Sequence, residues 1–78
     1  MIEVYTKDGC FPCKFTKDFF KQRGIPFTEI KMTDELAEEL KERYGIMSVP
    51  FVKLSEDDYW TGFRPDRLEE VANEINNK

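Results

Sequence analysis

Histidine is absent from the 78 residues, and cysteine occurs only at positions 10 and 13. Without an imidazole there is no Cys-His nucleophilic pair, and two thiolates alone do not complete a tetrahedral zinc set, so no metal site is expected. Long apolar runs are also missing. Nothing approaches the roughly 18 consecutive apolar residues of a membrane span. Met1 leads directly into a strand pattern, without the basic segment and apolar stretch of a signal peptide. These absences predict a cytoplasmic chain with no membrane contact, in a compartment where thiols stay reduced and disulfides are transient. Positive charge is in the minority, with 12 Lys and Arg against 16 Asp and Glu for a net charge of −4, which argues against nucleic acid as a partner. There is no linker, repeat or low-complexity tract, so residues 1–78 are expected to form a single domain.

What is present is a folding composition, 40% hydrophobic and 14% aromatic. The Phe and Tyr residues are the obvious means of filling so small a core. Ile2 to Thr6 reads as a first strand. A helix is predicted from about Pro12 to Arg23, since proline suits the first helical turn and Gly24 suits the residue after the last. Phe11, Phe15 and Phe19 repeat at i+4 with Phe20 one step round, which predicts a buried aromatic face. Ile25 to Lys31 is the second strand, with Pro26 near its start. Thr33 or Asp34 caps a second helix bearing Leu36, Ala37, Leu40 and Tyr44 on one side, with a charged opposite side that includes an i,i+4 pair, Glu39 and Arg43. Phe51–Leu54 and Tyr59–Thr61 form a hairpin around a polar turn, Ser55 to Asp58. A last helix starts near Pro65-Asp66 and places Leu68, Val71, Ala72 and Ile75 at helical spacing. The expected order is βαβαββα, an α/β fold with a four-stranded mixed sheet flanked by three helices.

Cys10-Phe11-Pro12-Cys13 lies where the first strand passes into the first helix, just after Asp8-Gly9. At the first turn of a helix, residues i and i+3 come within the Cα separation a disulfide needs. Unpaired N–H groups and the positive end of the helix dipole also favour a thiolate there. A bridge closing so short a loop adds little as a staple, so the pair reads as one that opens and closes. Cys10, nearer the strand end and more exposed, is expected to attack, and Cys13, one turn inside the helix, to resolve the mixed disulfide. Lys14, Lys17, Lys21 and Arg23 gather on the same helix, either as a solvated face or as a local positive potential. Phe11 either lies exposed beside the nucleophile, favouring a protein surface as substrate, or folds back into the core.

The C-x-x-C at this junction, together with Val49-Pro50 entering the third strand, resembles the thioredoxin fold in its minimal, glutaredoxin-like form. The resemblance covers essentially the whole chain. It implies that Pro50 is cis and lies against the cysteines, and that the Val49 backbone is free to bond an extended partner segment. Trp60-Thr61-Gly62-Phe63-Arg64-Pro65-Asp66 closely resembles the W-S-G-F-R-P-D/E signature of the NrdH-redoxins, with Thr61 in place of serine. On that resemblance Trp60, Thr61, Gly62, Phe63 and Arg64 join Phe11, Pro12, Val49 and Pro50 in a partner-binding surface. Trp60 and Phe63 could equally be core residues, and Arg64 a solvent-facing helix-start residue. Lys7 matches a lysine of glutaredoxins placed to stabilise the thiolate, and could equally be a plain surface lysine. The family often carries C-V-Q-C or similar, whereas Phe11-Pro12 here follows the thioredoxin arrangement, which should alter the redox poise.

The resemblance implies a thiol–disulfide oxidoreductase that binds no cofactor and acts as a monomer. Its electrons would come from NADPH through thioredoxin reductase and pass to the large subunit of a class Ib ribonucleotide reductase. Three rivals are weighed. A glutathione-dependent glutaredoxin is disfavoured because Phe63-Arg64-Pro65 occupies the place of the glutathione-binding turn. An iron–sulfur-bridged glutaredoxin-like dimer is disfavoured by Pro12. A redox-responsive regulator of the Spx kind would be a longer chain.

Overall fold

The computed structural model describes residues 2–46 and 48–76. Within them the order is β1 (Glu3–Thr6), α1 (Phe11–Gln22), β2 (Thr28–Lys31), α2 (Asp34–Tyr44), β3 (Phe51–Lys53), β4 (Tyr59–Thr61) and α3 (Pro65–Asn76), the expected βαβαββα. The strands make one mixed sheet in the order β2-β1-β3-β4. β1 and β2 run parallel, which a helical crossover between them requires. The two other pairings, β1 with β3 and β3 with β4, are antiparallel.

Strand periodicity then sorts side chains onto two faces. Val4, Val52 and Trp60 stand opposite one another across the three strands. They pack with Phe20 of α1 and with Leu68, Val71 and Ala72 of α3. On the other face Tyr5 and Phe51 stack with ring centroids 5.2 Å apart, covered by Leu40 and Tyr44 of α2. Each face of the sheet therefore has its own apolar layer.

Helix ends follow the local chemistry. Gly24, at φ 67°, ends α1. Its N–H bonds the Lys21 carbonyl, and the Ile25 N–H reaches back to the Phe20 carbonyl at 2.9 Å, the paired bonds of a Schellman cap. Of the two cap candidates for α2 it is Thr33 that acts, its hydroxyl accepting the Leu36 N–H at 3.1 Å. Glu39 and Arg43 do pair, at 3.6 Å. β2 is shorter than expected, because its ladder begins only where the Thr28 N–H bonds the Ile2 carbonyl, beyond Pro26.

The buried face of α1 is not the expected one. Cys13, Thr16 and Phe20 point inward, whereas Phe11 is 71% exposed and Phe15 52% exposed. At about 100° per residue, Phe11 and Phe20 stand on opposite sides of the helix, so both cannot face the sheet. Phe20, the ring that reaches the core centre, decides the rotation and turns Phe11 and Phe15 to solvent.

Candidate active site

The site grows from the way β1 hands the chain to α1. After Thr6 the segment Lys7 to Gly9 turns, with Gly9 at φ 75°, a conformation that a side chain disfavours. Cys10 is then the N-cap of α1 in extended backbone, and its Sγ accepts the N–H of Cys13 at 3.2 Å. Its carbonyl already accepts the first helical bond, from the Lys14 N–H at 3.2 Å. Pro12 fits the first turn, where its missing N–H leaves nothing unbonded. Cys10 and Cys13 are joined as a disulfide with their Cα atoms 5.3 Å apart. The two sulfurs are inequivalent, since Cys13 is buried and Cys10 only half-buried. Below them the buried Thr16 hydroxyl donates to the Pro12 carbonyl at 2.9 Å, which satisfies a polar group the core could not otherwise hold.

Two further segments belong to this end of the molecule. The Val49–Pro50 bond is cis; Pro50 is fully buried and Val49 half-buried. The Gly62 N–H bonds the Pro50 carbonyl at 2.8 Å, which ties the turn after β4 to the proline loop. Gly62 adopts φ 82°, and the turn it makes sets Phe63 against α1. There Phe63 meets Phe15 edge to face, with centroids 5.8 Å apart. Phe63 stays 40% exposed, so Phe11, Phe15 and Phe63 all offer apolar surface to solvent. Arg64 is exposed; its carbonyl accepts the Leu68 N–H, and its guanidinium grips Asp66 with two bonds of 3.3 and 3.2 Å. That grip holds the Asp66 carboxyl below its ordinary range.

Trp60 belongs to the core, not to the partner surface expected of it. Its indole is 6% exposed, packed in the α1–α3 layer, with the Arg67 guanidinium 5.1 Å from its ring. The reason is register: Trp60 pairs with Val52, so its side chain shares that strand's inward face. Thr61, half-buried, points to the opposite face. Of Trp60 and Phe63 it is Phe63 that is available for contact.

A charged cleft lies on the other flank of the sulfurs. Lys7, Asp8, Lys14, Lys17 and Lys31 line it together with Cys10, Cys13 and Phe11. Its anchor is Glu29, which was not singled out from the sequence. The Glu29 carboxylate accepts the buried Thr6 hydroxyl at 2.8 Å and Lys17 Nζ at 2.9 Å, with Lys31 Nζ at 3.4 Å. These bonds, Lys17 first, hold its carboxyl down at about 2. Lys31 also bonds Asp8 at 3.1 Å. Lys7 and Lys14 are exposed and form no ion pair among the described residues. A threonine buried at the end of β1 was the one local hint of the clamp, since it needs a partner. Among the described residues no group of three or more His, Cys, Asp or Glu is placed to hold a metal ion. No helix among them is long and apolar enough to cross a membrane.

A cysteine pair opening a helix, a cis-proline leading into β3 and this strand order have known counterparts. Residues 2–57 match the Glutaredoxin family model. The glutaredoxin-like protein NrdH of Lactococcus lactis subsp. cremoris is 33% identical over 75 residues, covering 92% of this chain and all of its own length. NrdH of Escherichia coli K12 is 36% identical over 69 residues, 86% of this chain and 83% of that one. The solved structure of the Escherichia coli NrdH-redoxin, a glutaredoxin-like protein with a thioredoxin-like activity profile, superposes with a TM-score of 0.80 at 35% identity. It covers 90% of this chain and 92% of that one. The thioredoxin-like architecture expected from the sequence is the one observed.

Proposed function

The chain belongs to the glutaredoxin family, as an NrdH-like thiol–disulfide oxidoreductase, and on that premise we propose that it carries electrons from thioredoxin reductase to a class Ib ribonucleotide reductase. Cys10 is the attacking group. Reduced, its thiolate attacks a sulfur of the acceptor disulfide and forms a mixed disulfide while one acceptor thiolate leaves. Cys13 then attacks Cys10 Sγ, releasing the second acceptor thiolate and closing the pair. Two electrons pass to the acceptor, and two protons follow them. The difference in exposure between the sulfurs supports this assignment, because only the half-buried one offers a line of approach.

Lys7 lines the same cleft as Cys10 and would stabilise its thiolate. Val49, Pro50, Thr61 and Gly62 shape the floor of the contact surface, and Phe11, Phe63 and Arg64 its rim. No bound cofactor is required, and the chain would act as a monomer in the cytoplasm.

The observation that carries the choice of reductant is Phe63. On the family resemblance it takes the place of a glutathione-binding turn, and it turns an aromatic ring to solvent beside Phe15. A protein reductase benefits from such an apolar anchor, whereas a charged tripeptide gains little. The test compares NADPH consumption with thioredoxin reductase against glutathione plus glutathione reductase. Turnover with the first pair is expected. Turnover with glutathione alone would make the chain a glutathione-dependent glutaredoxin.

A further inference from the structure

From the two-sided setting of the disulfide we infer that this protein selects acceptor segments carrying acidic residues next to their cystine. The inference rests on the roles given above to Cys10 and Cys13, and adds the charge of the substrate. Although the chain is net negative, its charge is divided in space. The outer side of α2 exposes Glu35, Glu38, Glu39 and Glu42, and the hairpin turn exposes Glu56, Asp57 and Asp58. The cleft bordering the sulfurs is lined instead by Lys7, Lys14, Lys17 and Lys31, with Asp8 the acid in its lining and Glu29 bonding two of its lysines.

These lysines are not equivalent. Lys17 is held by Glu29, and Lys31 by Asp8 and Glu29, so their charges are largely answered within the fold. Lys7 and Lys14 have no such partner among the described residues and stand on either side of Cys10 in the chain. An incoming segment that brings its cystine onto Cys10 sets the residues on one side of that cystine beside this cleft, which Cys10 itself lines. Carboxylates there meet two unanswered ammonium groups, and lysines there meet repulsion. The exposed pair Phe15 and Phe63 lies outside that lining, whereas Phe11 borders the lysines, so the charge preference falls to the lysine side. In exchange with such a segment, the Cys10–Cys13 dithiol is oxidised and the segment's disulfide reduced to two thiols, with two electrons and two protons transferred.

The experiment uses the full chain, reduced with dithiothreitol and then freed of it, so no reductase is involved. Three synthetic peptides carry the same internal disulfide, flanked by glutamate, serine or lysine. Single-turnover reduction is followed by quenching free thiols and weighing the products. The acidic peptide is expected to react about three- to tenfold faster than the serine peptide, and the basic one slower, at low ionic strength. That spread should collapse near 1 M salt, where screening acts within roughly 3 Å. Lys14→Gln should shrink the acidic preference and Lys14→Glu abolish or invert it, with an unchanged melting temperature confirming the fold. Equal rates for the three peptides, or a folded Lys14→Glu that keeps the acidic preference, would overturn the inference and leave the oxidoreductase reading intact. Failure to reduce even the serine peptide would overturn the assigned cysteine roles, and the substrate preference with them.

Discussion

The backbone N–H of Cys13 points at Cys10 Sγ from 3.2 Å, so the sulfur occupies the place a serine or aspartate oxygen takes at an ordinary helix N-cap. A cap prefers an acceptor, and a thiolate is a better acceptor than a thiol. The first turn of α1 therefore favours loss of the Cys10 proton by the same bond that starts the helix.

From this cap, reduced Cys10 should titrate well below the ordinary thiol range of about 8.5. Alkylation rates between pH 4 and 9, read for each cysteine by mass spectrometry, measure it. Cys10 is expected to react first and already at mildly acidic pH. Equal rates with ordinary thiol titration at both positions would overturn the assignment of roles.

Buried Cys13 should act only within the chain. Cys13→Ser is expected to accumulate a mixed disulfide through Cys10 with a protein acceptor, and Cys10→Ser to form none and lose turnover. Gel shift under non-reducing conditions reads both. A mixed disulfide through Cys13 would show that the nucleophile lies one turn further along.

Phe15 and Phe63 meet across two segments and remain largely exposed. Phe63→Ala should therefore cost about 1 kcal/mol or less in stability, of which about 0.5 kcal/mol is shared with Phe15→Ala in a double-mutant cycle. The same substitutions should lower turnover with thioredoxin reductase several-fold while leaving reduction by dithiothreitol unchanged. A small reductant needs only the sulfurs. Unchanged rates with both reductants would assign the ridge to folding alone.

Glu29 links β2 to α1 through Lys17 and to β1 through Thr6. Its folded carboxyl is depressed from 4.5 to about 2. A depressed acid stabilises the fold above its unfolded value and loses that contribution as pH falls towards the folded one. Glu29→Gln should thus lower stability by about 1 kcal/mol at pH 7, discounted for solvent screening, or roughly 4–8 °C in melting temperature. The gap should begin to close below about pH 4.5 and vanish near pH 2. A gap independent of pH would mean that packing, not charge, explains the loss.

Much of the fold was legible because its signals are local. Gly24 and Gly45 mark helix ends, Thr33 a helix start, and the C-x-x-C after Asp8-Gly9 the junction that bears the chemistry. What escaped depends on register between distant segments. Four phenylalanines on α1 allow two rotations of the helix, and only the fit of Phe20 against Val4, Val52 and Leu68 chooses between them. Trp60 and Phe63 look alike in sequence until the pairing of Trp60 with Val52 sends one inward. Glu29 gained its role through a parallel ladder that sets Val4 beside it and brings the Thr6 hydroxyl within reach.

The 5.3 Å between the Cα atoms of Cys10 and Cys13 is a spacing the helix's opening turn supplies on its own. Making or breaking the bond then asks for little more than sulfur movement, and the Schellman cap at the far end of α1 need never register which state the pair is in. The reduced chain is thus expected to keep the outline of the oxidised one. On the proposed function, a donor and an acceptor would dock on the same rim in turn, and neither would be repelled by the shape of the form it has just produced. The direction of traffic falls to relative potentials and concentrations, with no mechanical latch to enforce it.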